Sequence, residues 1–153
     1  MVENSPIVSV VMNCLNCEDY VREAIESVYA QTFTDWEIIF WDNASTDNSM
    51  SIVESYDNKI KYFKGSETVP LYQARNLAIE KCNGEVAAFL DCDDIWVNNK
   101  LENQVALYCE GNQFVYGRYE LIDSRGKKIK KKLRQMKFGK VTNNLLKNNF
   151  ISI

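Results

Sequence analysis

The fold is decided by the stretch Val86-Ala87-Ala88-Phe89-Leu90-Asp91-Cys92-Asp93-Asp94, in which an apolar run ends in three carboxylates. A buried strand followed by acids places negative charge at the carboxyl edge of a sheet, which is where open α/β sheets bind ligands. Clustered carboxylates repel one another unless a cation neutralises them, and hard oxygen ligands suit Mg²⁺ or Mn²⁺. The stretch therefore predicts a divalent-metal site for a phosphate-bearing ligand, because helix capping would explain one acid but not three.

The bulk composition favours one globular domain over residues 1–153. The chain has 46% hydrophobic residues, enough for a single core. No apolar run approaches the ~18 residues of a spanning helix, and no signal-like leader opens the chain, so we expect a soluble, cytoplasmic protein. The five cysteines are an odd number spread over the whole chain, which argues against a disulfide framework and predicts reduced thiols.

Positive charge is concentrated in residues 127–140, which hold eight of the 18 basic residues and no acid. Such a block is typical of a solvated edge or loop. The alternative is peripheral contact with anionic lipid headgroups at the inner face of the membrane, or with a lipid-phosphate acceptor.

Hydrophobic periodicity predicts alternating strands and helices, and hence a parallel sheet flanked by helices. The predicted strands are 6–12, 36–41, 60–63 and 86–90. The predicted helices are 18–31, a helix carrying Met50, Val53 and Tyr56, 71–82, and one from about 101 to 109. A C-terminal antiparallel hairpin is predicted from 114–122 and 127–133 around the turn Asp123-Ser124-Arg125-Gly126, followed by a helix over 141–147.

Three further features have two interpretations each. Asp42 follows the second strand, where an acid can accept hydrogen bonds from a ribose or a base, or can simply form a turn. Arg75 can pair with a diphosphate or hold the metal-binding carboxylates in place. Cys14 and Cys17 have the spacing of a zinc or redox pair, but without a second pair or any histidine they favour a backbone loop at the edge of a ligand cleft.

Four motifs resemble the family 2 glycosyltransferases of the GT-A fold. The resemblance covers essentially the whole chain, and the motifs occur in the family's order. They are Val8–Asn16 with Ala24–Thr32, Trp36–Asp47, Ala74-Arg75-Asn76 with Gly84-Glu85, and Phe89–Trp96.

The resemblance implies a GT-A fold, a Rossmann-like and mostly parallel sheet. It also implies transfer of a sugar from a nucleotide diphosphate, usually UDP, with inversion and with Mn²⁺ or Mg²⁺, to a saccharide or lipid-linked acceptor rather than to nucleic acid. On this model the loop Cys14-Leu15-Asn16 and Asp42 hold the nucleoside, and Arg75 lies near the diphosphate. Asp91 and the adjacent Cys92 contact the nucleotide sugar, and Asp91 and Asp93 bind the metal.

The chain departs from the family pattern at two points. Asn13-Cys14-Leu15 replaces the family's Pro-Thr-Tyr, which removes aromatic packing but keeps backbone contacts to the base. The family's catalytic base lies in a later acidic motif, expected beyond Ile153, so we expect a chain truncated before its acceptor-binding half.

Three other activities remain as alternatives. A non-catalytic nucleotide-binding module would also lack the catalytic base. A haloacid-dehalogenase-type phosphatase would have its Asp-x-Asp near the amino terminus, followed by Gly or Thr, and a nucleotidyltransferase would have a Gly-rich loop after the first strand.

Overall fold

The computed structural model describes residues 5–130 and residue 139, so most of the basic segment and the predicted helix 141–147 lie outside the described residues. The chain divides into two compact units, Met1–Ala106 and Leu107–Ile153. Among the described residues, no helix has the length and apolar character needed to cross a bilayer.

The first unit is built on four parallel strands in the order β3-β2-β1-β4. The strands are β1 (Val8–Cys14), β2 (Trp36–Asp42), β3 (Ile60–Lys64) and β4 (Val86–Phe89). Between and after them come α1 (Val21–Tyr29), α2 (Ser49–Val53), α3 (Leu71–Ile79) and α4 (Lys100–Cys109). The predicted alternation and the parallel sheet are therefore confirmed.

The hairpin of the second unit is shorter than predicted. Its antiparallel strands are β5 (Leu121–Ile122) and β6 (Lys128–Ile129), with two residues each. The turn lies where the sequence predicts it, because the Asp123 N–H donates to the Lys127 carbonyl at 2.9 Å and Gly126 has a φ of 72°.

The central strands β1 and β2 are covered on both faces. Alternate residues of β1, such as Val10 and Met12, join a core cluster with Ile25 of α1, while Val11 belongs to a second cluster with Ala74 of α3. Strands buried on both faces are expected to be continuous in their hydrophobicity, which is what made both strands recognisable in the sequence.

The strand order reverses between β1 and β4. The chain moves outward from β1 through β2 to β3 and then returns to place β4 on the other side of β1. Val11 lies opposite Phe89, and the Leu90 N–H donates to the Val11 carbonyl at 3.1 Å. A reversal of this kind opens a crevice at the carboxyl ends of the two strands, the preferred ligand position in open α/β sheets.

A buried carboxylate links the strands near their amino-terminal ends. Glu37 of β2 accepts hydrogen bonds from the Ser9 hydroxyl at 2.7 Å and from the Asn83 N–H at 2.9 Å, and it pairs with Lys61 at 2.8 Å. The Gly84 N–H in turn donates to the Ser9 hydroxyl at 2.8 Å. Three strands and the turn before β4 are thereby joined at one charged group.

Candidate functional site

The carboxyl edge of the sheet collects the polar segments that the sequence singled out. Cys14 ends β1 and lies opposite Asp42, which ends β2. The loop after β4 carries Asp91 and Asp93. Parallel strands bring their carboxyl ends to one edge of the sheet. Because β2, β1 and β4 are neighbours in the strand order, the predicted site segments follow adjacent strands.

The loops after β1 and β2 are bonded to each other. The Asn16 N–H donates to the Ser45 hydroxyl at 3.0 Å, and the Asn16 side-chain oxygen accepts from the Thr46 N–H at 2.9 Å. Asn16 has a φ of 56°, a left-handed conformation that asparagine tolerates better than most residues. The predicted binding loop is therefore held by bonds to the loop after β2.

Further bonds join the same two loops next to the start of α1. The Cys17 N–H donates to the Ser49 hydroxyl at 3.0 Å, and the Glu18 N–H donates to the Asp47 carboxylate at 2.9 Å. Glu18 returns the interaction by accepting the Asn48 N–H at 2.8 Å. The sequence indicates only that 42–49 is a polar loop rich in capping residues, so the contacts of Ser45, Asp47 and Ser49 to the first loop were not predicted.

Asp42 is fully buried and engaged by the protein. One carboxylate oxygen accepts the Ser45 N–H at 2.6 Å, and the other accepts the Tyr62 hydroxyl at 2.5 Å. Burial, followed by the bond to Asp42, raises the pKa of Tyr62 well above its usual value. Tyr62 was not predicted, because its role depends on the register between β2 and β3.

Arg75 of α3 reaches the loop after β4. Its guanidinium donates to the Asp91 carboxylate at 2.7 Å, with 22% and 31% of the two side chains exposed. This pairing corresponds to the second role predicted for Arg75, that of holding a carboxylate of the cluster. A charge-assisted bond between half-buried partners fixes the orientation of Asp91.

The other two acids of the cluster are exposed. The Asp94 N–H donates to the Asp91 carbonyl at 3.0 Å, which forms a turn. Partial desolvation, followed by the charges of Asp93 and Asp91, raises the pKa of Asp94. The carboxylates of Asp91 and Asp93 are hard oxygen ligands in a region where negative charges repel one another. Such ligands fit Mg²⁺ or Mn²⁺ when phosphate oxygens complete the coordination of the ion.

A second group of potential metal ligands lies at the same edge. The Sγ atoms of Cys14, Cys17 and Cys92 are all within 4.8 Å of one another, and within residues 5–130 no other group of three or more Cys, His, Asp or Glu is this close. Hydrogen bonding from Cys17, and then from Cys92, lowers the pKa of Cys14 against the opposing effect of burial. The bond to Cys14 is in turn the main cause that raises the pKa of Cys17 and of Cys92.

Cys92 and Leu15, both predicted to contact the nucleotide sugar, differ in how much of each is exposed to a ligand. The Cys92 side chain is buried and its thiol donates to the Asn13 carbonyl at 3.3 Å, so only its backbone is available to a nucleotide sugar. Leu15 has 46% of its side chain exposed beside the crevice. Sequence reasoning also missed Asn13, whose side-chain N–H₂ is buried without a hydrogen-bond partner at the end of β1.

Comparison with known proteins gives a consistent family. The glycosyl transferase family 2 model matches residues 9–152. The chain is 38% identical over 120 residues to the UDP-Glc:alpha-D-GlcNAc-diphosphoundecaprenol beta-1,3-glucosyltransferase WfgD of Escherichia coli, covering 77% of this chain and 47% of WfgD. It is 34% identical over 135 residues to the putative teichuronic acid biosynthesis glycosyltransferase TuaG of Bacillus subtilis, covering 86% and 54%.

A solved structure shows the same architecture. The structure of S. aureus TarS 1-349 in complex with UDP-GlcNAc superposes with a TM-score of 0.63 at 31% identity, over 67% of this chain and 31% of that fragment. The chain thus spans about half the length of the two curated relatives, and the match covers about a third of the TarS 1-349 fragment.

Proposed function

The chain belongs to glycosyl transferase family 2, and from this we infer that it binds a nucleotide-diphosphate sugar, with UDP as the nucleotide, for inverting transfer to a saccharide or lipid-linked acceptor. One observation carries the inference. The loop after β1, Asp42 and the Arg75–Asp91 pair all lie at the carboxyl edge, on either side of the reversal in strand order. Anionic ligands of open α/β sheets bind at such a point.

The nucleoside is assigned to the side of β1 and β2. Leu15 and the backbone of Cys14 and Asn16 border the base. Asp42, predicted to hold the nucleoside directly, is fully buried, so we assign it a positioning role: its carboxylate holds the Ser45 N–H of the loop after β2 and is itself held by the Tyr62 hydroxyl. The bonds that hold Asn16 preorganise this loop before the ligand arrives.

The diphosphate is assigned to the side of β4. Asp91, held by Arg75, contacts the ribose and the metal, and Asp93 is the principal metal ligand. Mn²⁺ or Mg²⁺ bound there would screen the phosphates and stabilise the negative charge of the departing nucleotide. The exposure of Asp93 leaves its oxygens free to meet a ligand from solvent.

The relatives support the donor and acceptor classes. WfgD is named for a UDP-Glc donor and a diphosphoundecaprenol-linked acceptor, and TarS has been crystallised with UDP-GlcNAc. A lipid-linked acceptor would also give the basic segment 127–140 a role in contact with anionic membrane surface. The described residues are assigned to donor binding, and no catalytic base is assigned among them.

Calorimetry with UDP tests the proposal. We expect UDP to bind in the presence of Mn²⁺ and to bind at least about tenfold more weakly, or 1.4 kcal/mol, when Mn²⁺ is omitted or Asp93→Asn is introduced. Asp94→Asn is the matched control, because this neighbouring acid is also exposed but is assigned only a local supporting role. It should change the affinity by less than about threefold.

Two outcomes would contradict the proposal. Absence of heat with both UDP and UDP-sugars in the presence of Mn²⁺ would remove the donor-binding function. Equal losses in the two variants would show that the acid cluster acts through its general charge, which would contradict the assignment of Asp93 as the ligand.

A further inference from the structure

We propose that Cys14, Cys17 and Cys92 form a second metal site, separate from the carboxylates, that binds a thiophilic ion with Zn²⁺ as the occupant. The three thiols come from two segments of the chain. Cys14 ends β1, Cys17 lies in the loop before α1, and Cys92 follows β4. The ion would therefore join the two strands between which the strand order reverses.

The positions of the sulfur atoms fit this assignment. All three Sγ atoms lie within 4.8 Å of one another. With Zn–S bonds of about 2.3 Å, the sulfurs of a tetrahedral site stand about 3.8 Å apart. Side-chain rotations that draw the thiols together by about 1 Å at most would thus complete three of the four positions.

The surroundings provide hydrogen bonds for thiolates. The Ser45 hydroxyl lies 3.6 Å from the Cys14 sulfur. It already accepts the Asn16 N–H, so its own hydrogen is available to donate to that sulfur. The Ser49 hydroxyl accepts the Cys17 N–H in the same way. Thiolate ligands of metal ions are characteristically supported by such outer partners.

Ordinary core packing explains only part of the cluster. Cys14 and Cys92 are buried and belong to the main core cluster, where cysteine serves as a small apolar residue. Cys17 packs against the same cluster but is only half-buried, and its sulfur converges on the other two. Its partial exposure gives an ion a route to the site and leaves the fourth position to a water molecule or a serine hydroxyl.

The ligand chemistry separates this site from the acid cluster. Thiolates select Zn²⁺ and other soft ions, whereas carboxylates and phosphates select Mg²⁺ and Mn²⁺. Cys92 stands between Asp91 and Asp93, so an ion held by the thiols would fix the backbone from which both carboxylates project. The inferred role is structural and does not depend on the identity of the sugar donor.

The test uses the full chain, reduced and kept under anaerobic conditions, with Co²⁺ as the spectroscopic probe. We expect one equivalent of Co²⁺ to produce thiolate-to-cobalt charge-transfer absorption, which Zn²⁺ then abolishes by displacement. Loss of a group that only hydrogen-bonds a metal ligand weakens metal binding by about 10- to 100-fold. Cys17→Ser removes a ligand itself and should therefore weaken Zn²⁺ binding by more than this. Circular dichroism of this loop variant verifies that it remains folded.

Two other cysteines provide matched controls. Cys109→Ser changes an exposed thiol and Cys82→Ser a half-buried thiol outside the cluster, and both variants should keep the Co²⁺ spectrum and the Zn²⁺ affinity. Absence of the charge-transfer band, or a band in folded Cys17→Ser with undiminished intensity and unchanged Zn²⁺ affinity, would overturn the proposal. If the chain binds no metal and forms a disulfide among the three thiols once O₂ is admitted as the oxidant, the proposal is overturned in favour of redox chemistry.

Discussion

Replacing Glu37 by glutamine should destabilise the protein although it barely changes the shape of the side chain. The carboxylate has only 5% of its surface exposed and is bonded to Ser9, Lys61 and the Asn83 N–H. Glutamine keeps one oxygen acceptor, but it loses the charge and presents an N–H₂ group to the Lys61 ammonium. The variant therefore removes the charge while leaving packing almost unchanged.

The contacts set the size of the effect. A hydrogen bond to a charged group contributes about 1.5–3 kcal/mol and a neutral one about 0.5–1.5 kcal/mol, so each of the bonds from Ser9 and Asn83 loses about 1 kcal/mol. The ion pair adds less, because Lys61 is 45% exposed and such pairs contribute about 1 kcal/mol or less. We expect Glu37→Gln to lower the free energy of unfolding by about 2–3 kcal/mol at neutral pH.

Urea unfolding at several pH values measures this effect and its origin. Burial alone would raise the pKa of Glu37, but the bond to Lys61 and those from Asn83 and Ser9 outweigh it and lower the pKa below 4.5. A carboxyl whose pKa is lowered by folding stabilises the protein above its unfolded pKa and loses that contribution as the pH falls through the folded value. The difference between the two proteins should therefore shrink as the pH drops below about 4.5.

Lys61→Met is the companion variant, because it removes the exposed partner and leaves the two bonds from Ser9 and Asn83. It should cost about 1 kcal/mol or less. A Glu37→Gln effect under about 0.5 kcal/mol at neutral pH, or one that persists unchanged into acid, would refute the reasoning.

Three further changes have defined outcomes. Gly84→Ala would place a Cβ 2.5 Å from the Ser9 backbone nitrogen, so urea unfolding should show a loss of about 1–3 kcal/mol, and no loss would mean that the turn adjusts freely. Ala44→Gly relieves a φ of 65° and should raise the free energy of unfolding by about 0.5 kcal/mol; a decrease would contradict this. Tyr62→Phe leaves one oxygen of buried Asp42 without its donor and should cost about 1.5–3 kcal/mol and weaken UDP binding in calorimetry, whereas unchanged values in both would contradict its role.

The order of the elements was predictable because it depends on local patterns. Continuous apolar runs marked β1 and β2, and helical spacing marked α1. The start of α1 was placed too early, at Glu18, because an acid next to an apolar pattern is typical of a first helical turn. In the structure Glu18 instead bonds to the Asn48 N–H, a contact from a loop 30 positions away.

In the candidate site, only the residues that directly follow a strand could be placed from the sequence. Acids after an apolar strand point to the carboxyl edge whatever the strand order, so Asp91 and Asp93 could be placed there, although β4 is an edge strand of the four and only partly buried rather than covered as predicted. The contact of Tyr62 with Asp42 requires the register of β3, and the convergence of Cys92 with Cys14 requires that β4 lies beside β1. Neither is contained in hydrophobic periodicity, which identifies strands without ordering them.

The bonds between the loops after β1 and β2 limit how this protein can be re-engineered. The side chains of Asn16 and Glu18 in the first loop accept the N–H groups of Thr46 and Asn48 in the second. A graft that exchanged residues 14–18 alone for those of a relative lacking these side chains would leave both N–H groups without their partners. An exchange of the nucleotide-binding loops between family members should therefore succeed only when segments 14–18 and 42–49 are transferred together.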